Sequence, residues 1–264
     1  ILISDDASSD STPSVLSDFA SKFPDLISLR LRSRRVGMKT NLLENLARSK
    51  GEFIALCDGD DLWTNPSKLQ RQVEMLEKNG ELSMCFHYCD LVTKNGNHMT
   101  LLPVAEGRKP RSNAEDLIML ESFMPTSSVV FRNNQYEVFP TWFWQLENQV
   151  DYPLFLYYAS FGDIGFIPLN MATYRTSSTA DAFTSQSAAA IFIEQSRMFS
   201  LLNQHSQHRD LYRFSLNQDR DLRRAGKLLL HPQRLSEFLV TMAKTMETKT
   251  LKVIPKVFAV GLFL

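Results

Sequence analysis

The sequence has few cysteines, no excess charge and no apolar run long enough for a membrane span. Only three of its 264 residues are cysteines, too few for a disulfide framework, which favours a reducing compartment. Lysine plus arginine equals aspartate plus glutamate at 29 each, so bulk charge gives no sign of a nucleic-acid partner. The apolar stretch at 253–264 is too short to cross a bilayer. With 44% hydrophobic and 22% charged residues, the composition predicts a globular protein that buries a core.

An acidic cluster follows one of the predicted strands. Asp58, Asp60 and Asp61 come directly after the apolar run Phe53-Ile54-Ala55, where the chain must turn. Like charges this close raise one another's pKa, so the cluster is unstable unless a positive charge lies among them. A divalent cation that prefers oxygen ligands fits this requirement, with phosphate groups completing its coordination shell. A solvated acidic loop is the alternative.

A second acid pair, Asp5 and Asp6, follows the apolar strand that opens the chain. Two buried strands that end in carboxylates, each linked to the next element by a helix, predict an open α/β sheet. Ligands bind outside the carboxyl ends of the strands in such sheets. We therefore expect both acidic clusters to face one crevice and to form a binding site there.

Hydrophobic spacing and turn residues predict the main elements of the chain. Helices are expected over 13–23, 41–49, 66–78, 113–121 and 151–160, the last of them amphipathic, and from about 185 onward. Strands are expected over 26–31, 53–57, 82–92, 98–102 and 127–131, with two short ones within 164–175. Cys85, His87 and Cys89 would share one face of their strand, which favours packing over a zinc site.

Several motifs follow one another along residues 1–180. They are Asp5-Asp6-Ala-Ser-Ser-Asp10, Gly37 with Asn41, Gly51-Glu-Phe-Ile-Ala55, Asp58-Gly-Asp-Asp-Leu-Trp63, Lys68-Leu-Gln-Arg-Gln72, Pro125-Thr-Ser-Ser-Val-Val-Phe-Arg132, Asp151-Tyr-Pro-Leu-Phe-Leu156 and Met171-Ala-Thr-Tyr-Arg175. Together they resemble the inverting family 2 glycosyltransferases of GT-A fold, in particular the bacterial branch with D-G-D-D-Y-W followed by K-L-Q-x-Q. The resemblance implies a Rossmann-like mixed sheet flanked by helices. Since relatives begin with an earlier strand and helix, it also implies that the N-terminal strand is missing here.

The resemblance implies transfer of a sugar from a nucleoside diphosphate donor and gives the acidic residues roles. Asp60 would bind Mn²⁺ or Mg²⁺, and Asp58 would contact this metal or the ribose. Asp6 would accept a hydrogen bond from the base of a uracil or thymine nucleotide, which favours a UDP- or dTDP-sugar, although a carboxylate fits guanine no less well. Asp61 would assist metal or nucleotide binding, or only cap the following turn. Asp5 would bind the donor or serve as a turn residue.

The resemblance also places a catalytic base and two donor-binding cations. Asp151 would remove the proton of the acceptor hydroxyl, because relatives carry an acid at the start of a helix beneath the acceptor. Val150 stands where many relatives have a first acid, and a simple helix N-cap is the alternative for Asp151. Lys39 lies on the loop that approaches the nucleotide, and Arg175 would close on the diphosphate. The histidine that usually follows is replaced by Thr176-Ser177-Ser178.

The motifs divide the chain into a GT-A domain at 1–180 and a helical C-terminal region at 181–264. Aromatic residues at 135–150 would line an acceptor pocket or form ordinary core. Residues 219–264 carry nine basic and four acidic residues, which suits either contact with an anionic membrane surface or a packing appendage. A glycan or lipid-linked acceptor at the cytoplasmic face of the plasma membrane would agree with the first reading.

Three other classes of protein share part of this pattern. A catalytically inactive domain that binds a nucleotide sugar or glycan would carry the same motifs, and metal-dependent nucleotide release would separate the two. A sugar nucleotidylyltransferase would show a glycine-rich basic loop near its start, which this sequence lacks. A response-regulator receiver domain would leave the motifs at 125–132 and 151–175 unexplained.

Overall fold

The computed structural model describes residues 1–93, 98–102, 109–119, 123–133, 139, 141–146, 149–176 and 188–205. Their strands are β1 Leu2–Asp5, β2 Ser28–Leu31, β3 Phe53–Ala55, β4 Leu62–Trp63, β5 Leu82–Thr93, β6 His98–Leu102, β7 Arg111–Ser112, β8 Val130–Arg132 and β9 Asp163–Thr176. Their helices are α1 Thr12–Lys22, α2 Met38–Arg48, α3 Lys68–Lys78, α4 Ala114–Met119, α5 Thr141–Trp144, α6 Asp151–Ala159 and α7 Ala188–His205. The mixed α/β architecture expected from the sequence is confirmed.

The larger of two sheets is organised around the parallel pair β5–β9. Its strand order is β3-β8-β5-β9-β4, with β6 added to β5 and β7 added to β9. Residues 163–176 form one long strand, so the prediction of two short strands is wrong. The register shifts where His87 pairs with Ile167 and Tyr88 with Asn170. Pro168 lies within this bulge, and because proline has no amide hydrogen it interrupts the pairing without ending the strand.

Strand β8 starts later than expected. The sequence predicts a strand from Ser127. In the structure, Thr126–Ser128 form a 3₁₀ turn, and β8 starts at Val130. The Ser128 hydroxyl donates to the Pro125 carbonyl at 2.6 Å, a local hydrogen bond of the kind by which serine competes with strand pairing.

Helix α6 passes through the interior of the molecule. Seven of its nine residues are buried, so the expected amphipathic pattern is wrong. The sequence explains the burial, because Asp151 at the first position is the only charged residue of the helix and no polar face follows it. Phe199 of α7 packs edge-on against Tyr152. The same core includes Leu46 of α2 and Phe131 of β8.

The smaller sheet consists of β1 and β2, a parallel pair connected by α1. This helix buries none of its residues, and Val15 and Phe19 are 48% and 50% exposed, although their spacing predicts a common apolar face. An open groove lies between the two sheets, and residues of both β1 and β3 line it.

Part of the predicted organisation lies outside the described residues. Of the expected helical C-terminal region, α7 falls within them, whereas the basic segment at 219–264 and the turn at 94–97 do not. In the part of the chain that the structure describes, no helix has the length and apolar character needed to cross a membrane.

Gly162, immediately before β9, lies so close to the neighbouring chain that a methyl group would collide with it. A Cβ atom there would lie 2.6 Å from the Glu81 carbonyl oxygen and 3.0 Å from the Ser83 amide nitrogen. We expect Gly162→Ala to lower the free energy of unfolding by about 1–3 kcal/mol, measured by chemical denaturation. Gly80→Ala is the control, because nothing lies within 4 Å of its Cβ position. Equal destabilisation by the two substitutions would contradict the prediction.

Candidate functional site

The acid loop, residues 57–61, connects β3 to β4. It turns tightly, since the Asp61 amide donates to the Asp58 carbonyl at 3.0 Å. Directly after it, the Trp63 indole Nε1 donates to the Ser127 carbonyl at 3.0 Å and anchors the end of the loop to the 3₁₀ turn. The loop is thus fixed at both ends while its carboxylates face the groove.

Pairing between β4 and β9 brings a second segment to the acid loop. Leu62 lies opposite Thr173, so the next two residues of β9, Tyr174 and Arg175, reach the loop and line the groove. The Arg175 amide donates to Asp61 Oδ1 at 3.1 Å. The long β9 strand therefore delivers the predicted diphosphate-binding arginine to the predicted metal loop.

Asp151 begins α6 and lines the same groove. Its Oδ1 accepts the Tyr152 amide at 2.8 Å, and its Oδ2 accepts the Thr126 hydroxyl at 3.1 Å. Each carboxylate oxygen therefore has one donor from the protein and retains a further lone pair. This arrangement fits the predicted base. The alternative, a helix N-cap, is wrong, because Val150 is the N-cap residue and Asp151 is the first residue of α6.

The charges of these segments influence one another. The surrounding protein and then the carboxylates of Asp61, Asp151 and Asp60 raise the pKa of Asp58 to about 6. Burial raises the pKa of Asp61, although hydrogen bonds from the Ser127 hydroxyl and the Arg175 amide oppose the shift. Asp61 Oδ2 is buried without a hydrogen-bond partner. The site is thus an acidic cluster of at least four carboxylates, in which the positive charge of Arg175 acts on Asp61.

Burial also raises the pKa of Tyr174, and the four carboxylates nearby raise it further. The shift shows that Asp61, Asp151, Asp60 and Asp58 all lie within electrostatic reach of one phenol. Tyr174 is therefore a neutral hydroxyl among acidic groups and adds a hydrogen-bond donor to the groove.

The groove brings together seven of the eight predicted site residues, which are Asp5, Asp6, Asp58, Asp60, Asp61, Asp151 and Arg175. Lys39 is not among the lining residues. Its ammonium group donates to the Phe143 carbonyl and, at 2.7 Å, to the Leu146 carbonyl, and it lies 4.8 Å from the Phe143 ring centroid. Lys39 thereby ties α2 to α5, and its role in nucleotide binding stays a prediction.

Asp5 is buried at the end of β1 and closes a turn. Its Oδ2 accepts the Ser8 amide at 3.0 Å. Ala7, within this turn, has a φ of 60°, a left-handed conformation that is uncommon for residues with a side chain. The geometry supports the turn role that was one of the two alternatives for Asp5.

Asp6 orders the loop that precedes α2. Its two carboxylate oxygens accept the amides of Val36 at 2.8 Å and Gly37 at 2.9 Å. Gly37 has a φ of 88°, a conformation that glycine adopts at little cost. Arg32 lies 3.9 Å from the same carboxylate. Recognition of a nucleotide base by Asp6 stays a prediction, and the residue has this structural task in addition.

Behind the acid loop, Lys68 and Gln72 form a buried polar pair for which the motifs predicted no role. Lys68 Nζ donates to Gln72 Oε1 at 2.8 Å and lies 4.2 Å from the Trp63 ring centroid. Burial lowers the pKa of Lys68 to about 8. Gln72 Nε2 donates to the Ser128 carbonyl at 2.8 Å. The contact between these two side chains could have been predicted from the sequence, since residues four apart share one face of a helix.

The donor set of the acid loop fits a hard divalent cation that is shared with a ligand. No three His, Cys, Asp or Glu side chains within the described ranges are arranged to hold a metal ion by themselves. The loop nonetheless presents carboxylate oxygens, including the unpartnered Oδ2 of Asp61. A cation that takes some of its ligands from phosphate oxygens satisfies both observations.

The chain belongs to glycosyl transferase family 2, whose model matches residues 1–137. An uncharacterized protein of Mycobacterium tuberculosis is 34% identical over 176 residues, which cover 66% of this chain and 49% of that protein. An uncharacterized glycosyltransferase of Nostoc is 30% identical over 146 residues, covering 53% of this chain and 44% of that protein. The chain thus spans about half the length of these curated relatives.

Solved structures show the same fold. TarS of S. aureus aligns with a TM-score of 0.55 and 13% identity over 80% of this chain and 35% of its own. The mannosyltransferase PcManGT from Pyrobaculum calidifontis, solved in complex with GDP-Man and Mn²⁺, aligns with a TM-score of 0.52 and 16% identity over 99% of this chain and 71% of its own. The GT-A fold of the glycosyltransferases is therefore confirmed.

The raised pKa of Asp58 makes the stability of the metal-free protein depend on pH. The folded state keeps this proton up to about pH 6, whereas the unfolded state releases it near its ordinary value of 3.8. The free energy of unfolding therefore falls as pH rises from about 4 to about 6. Asp58→Asn should remove this loss and raise Tm at pH 7.5 by about 2–4 °C, corresponding to ~1 kcal/mol after allowance for solvent screening.

Thermal unfolding in a chelator at pH 4.5 and pH 7.5 measures this effect. The gain from Asp58→Asn should shrink at pH 4.5, where the wild-type carboxyl already carries its proton. Asp18→Asn, at an exposed position on α1, is the control and should change Tm little at either pH. A gain from Asp58→Asn that is independent of pH would contradict the assignment.

Proposed function

We propose that the protein is an inverting, metal-dependent glycosyltransferase that moves a sugar from a nucleoside diphosphate donor to a glycan or lipid-linked acceptor in polysaccharide biosynthesis. One observation carries this proposal: the acid loop and Asp151 line the same groove. The carboxylates also lie close enough for Asp151 to raise the pKa of Asp58. A site that must neutralise a leaving diphosphate and deprotonate a hydroxyl needs both groups within reach of one substrate.

At the donor end, Asp60 and Asp58 are the proposed ligands of Mn²⁺ or Mg²⁺. The metal, when bound, would offset the charge that develops on the departing diphosphate. Asp61 would hold the loop through its bond from the Arg175 amide, or add its free oxygen to the ligand set. The exposed guanidinium of Arg175 is the proposed contact to the diphosphate. The presence of Mn²⁺ and GDP-Man in the complex of PcManGT supports a divalent cation here.

At the acceptor end, Asp151 is the proposed base. It would take the proton of the acceptor hydroxyl while that oxygen attacks the anomeric carbon from the side opposite the diphosphate. The bond from the anomeric carbon to the phosphate oxygen breaks, the nucleoside diphosphate leaves, and the configuration of the sugar is inverted. The free lone pairs of Asp151 support this role, since both oxygens accept one bond from the protein and keep further capacity.

The nucleotide is the proposed ligand of the β1 side of the groove. Asp6 would accept the base N–H of a uracil or thymine nucleotide, with Asp5 shaping the turn beneath it. Lys39 would contribute through the position of α2 or, after release from its carbonyl partners, by direct contact. The proposed setting is the cytoplasm, with peripheral contact of residues 219–264 to the inner face of the plasma membrane.

Nucleotide release from a panel of donors tests the proposal. UDP-glucose, UDP-N-acetylglucosamine, dTDP-rhamnose and GDP-mannose are each incubated with the protein and a membrane-lipid and glycan extract, first with Mn²⁺ and then with a chelator. We expect turnover of one donor, its loss on chelation, and at least a 100-fold loss of kcat in Asp60→Asn and Asp151→Asn. Asp18→Asn should keep wild-type activity.

The alternative function gives a different result in the same experiment. A thermal shift induced by a donor, without turnover across the panel, would support a catalytically inactive nucleotide-sugar-binding domain. Turnover that survives Asp151→Asn would remove the proposed base while leaving the glycosyltransferase assignment intact. Turnover that survives the chelator would contradict the proposed metal requirement.

A further inference from the structure

The 3₁₀ turn Thr126–Ser128 contacts both parts of the site. On one side, the Thr126 hydroxyl donates to Asp151 Oδ2 at 3.1 Å. On the other side, the Ser127 carbonyl accepts a hydrogen bond from the indole Nε1 of Trp63, which follows the acid loop, at 3.0 Å. Adjacent residues of one turn therefore contact the strand that ends the acid loop and the carboxylate that begins α6. These contacts join segments that are almost 90 residues apart in the sequence.

The turn itself is held rigidly. Its Ser127 carbonyl accepts the Trp63 indole at 3.0 Å, and its Ser128 carbonyl accepts Gln72 Nε2 at 2.8 Å. Ser127 and Ser128 are both fully buried. The Gln72 amide is in turn fixed by the hydrogen bond from Lys68. A shift of the turn would break these buried hydrogen bonds and leave their groups unpaired, which is costly.

We propose that Thr126 is a positioning residue for Asp151, and that its hydroxyl, carried on the rigid turn Thr126–Ser128, fixes the orientation of the base. This inference rests on the proposed function, because it requires Asp151 to act on a substrate. An aspartate at a helix start can rotate about its side-chain torsions. The amide of Tyr152 restrains one oxygen, and the Thr126 hydroxyl restrains the other and thereby selects one orientation of the carboxylate plane.

A positioning role has a kinetic consequence that simple stabilisation does not have. Loss of the Thr126 hydroxyl leaves the donor-binding carboxylates and the base in place, but the base is no longer held in one orientation. A misplaced base lowers the rate of the chemical step more than it changes the binding of the donor. The effect should therefore fall on kcat, with KM for the donor nearly unchanged.

Thr126→Val tests the proposal, because valine keeps the shape of threonine and removes the donor. With the full chain and the donor that turns over in the panel, we expect kcat to fall about 10-fold and KM to change less than twofold. Thr126→Ser restores a hydroxyl and should recover most of the rate. Ser128→Ala is the matched control, since it removes a hydroxyl of the same turn that bonds to the Pro125 carbonyl and to no carboxylate. Thr126→Ala serves where Thr126→Val does not fold.

The outcomes separate this proposal from the proposed function. Wild-type turnover, inactive Asp151→Asn and undiminished kcat in Thr126→Val would overturn the positioning role alone. An equal loss in Thr126→Val and Ser128→Ala would also overturn it, because the effect would then come from a loosened turn. Absence of turnover in the wild-type chain would overturn the proposed function and the positioning role together.

Discussion

Carboxylates that share one groove repel one another, so a fold that gathers Asp58, Asp60, Asp61 and Asp151 must fix each of them by contacts outside the cluster. Burial and then this repulsion raise the pKa of Asp58. Under the proposed function, a bound divalent cation would relieve this repulsion, and the phosphate groups of the donor would complete the coordination of the cation. The repulsion among the carboxylates thus disfavours assembly of the site and would favour the binding of a cation to it.

The larger sheet supplies the fixed points. Strand β9 pairs with β5 along its length and, near its end, with β4 beside the acid loop. Helix α6 is buried on nearly all sides, so the backbone at Asp151 cannot shift without disturbing the core. Buried groups such as Gln72 then connect these elements through the 3₁₀ turn. Repulsion among the acids is thus opposed by packing and hydrogen bonds that lie mostly away from the groove.

The site was largely predictable from the sequence because its charged residues stand at the ends of strands or at a helix start. Asp58 and Asp151 could be placed on this basis together with the family resemblance, and the groove brings them together. The partners of Lys39 could not be predicted, because they are backbone carbonyls more than 100 residues away and carry no side-chain signal. Thr126 stood in a recognised motif, but its task depends on a contact with α6 that spacing alone does not reveal.

The wrong predictions about the fold also concern contacts between residues that are distant in the sequence. Periodicity reports which faces are apolar and not what covers them. Phe19 was therefore expected on a packed face and is half exposed, whereas α6 was expected to be amphipathic and is buried along most of its length. Proline at position 168 resembles a strand end, yet β9 continues because its parallel partner β5 accommodates a bulge. The burial of a helix or the length of a strand depends on which other elements pack against it, and the local sequence does not identify those elements.

Under the proposed function, donor recognition and chemistry lie on different sheets. Asp5 and Asp6 belong to the β1 side of the groove, whereas the acid loop and Asp151 belong to the larger sheet. Helix α2 connects the two, since it packs Leu46 into the main core and its preceding loop is ordered by Asp6. Changes in that loop can therefore alter the nucleotide that is bound without displacing the metal ligands or the base. Because of this separation, proteins with the same fold and the same catalytic residues could use different nucleotide donors.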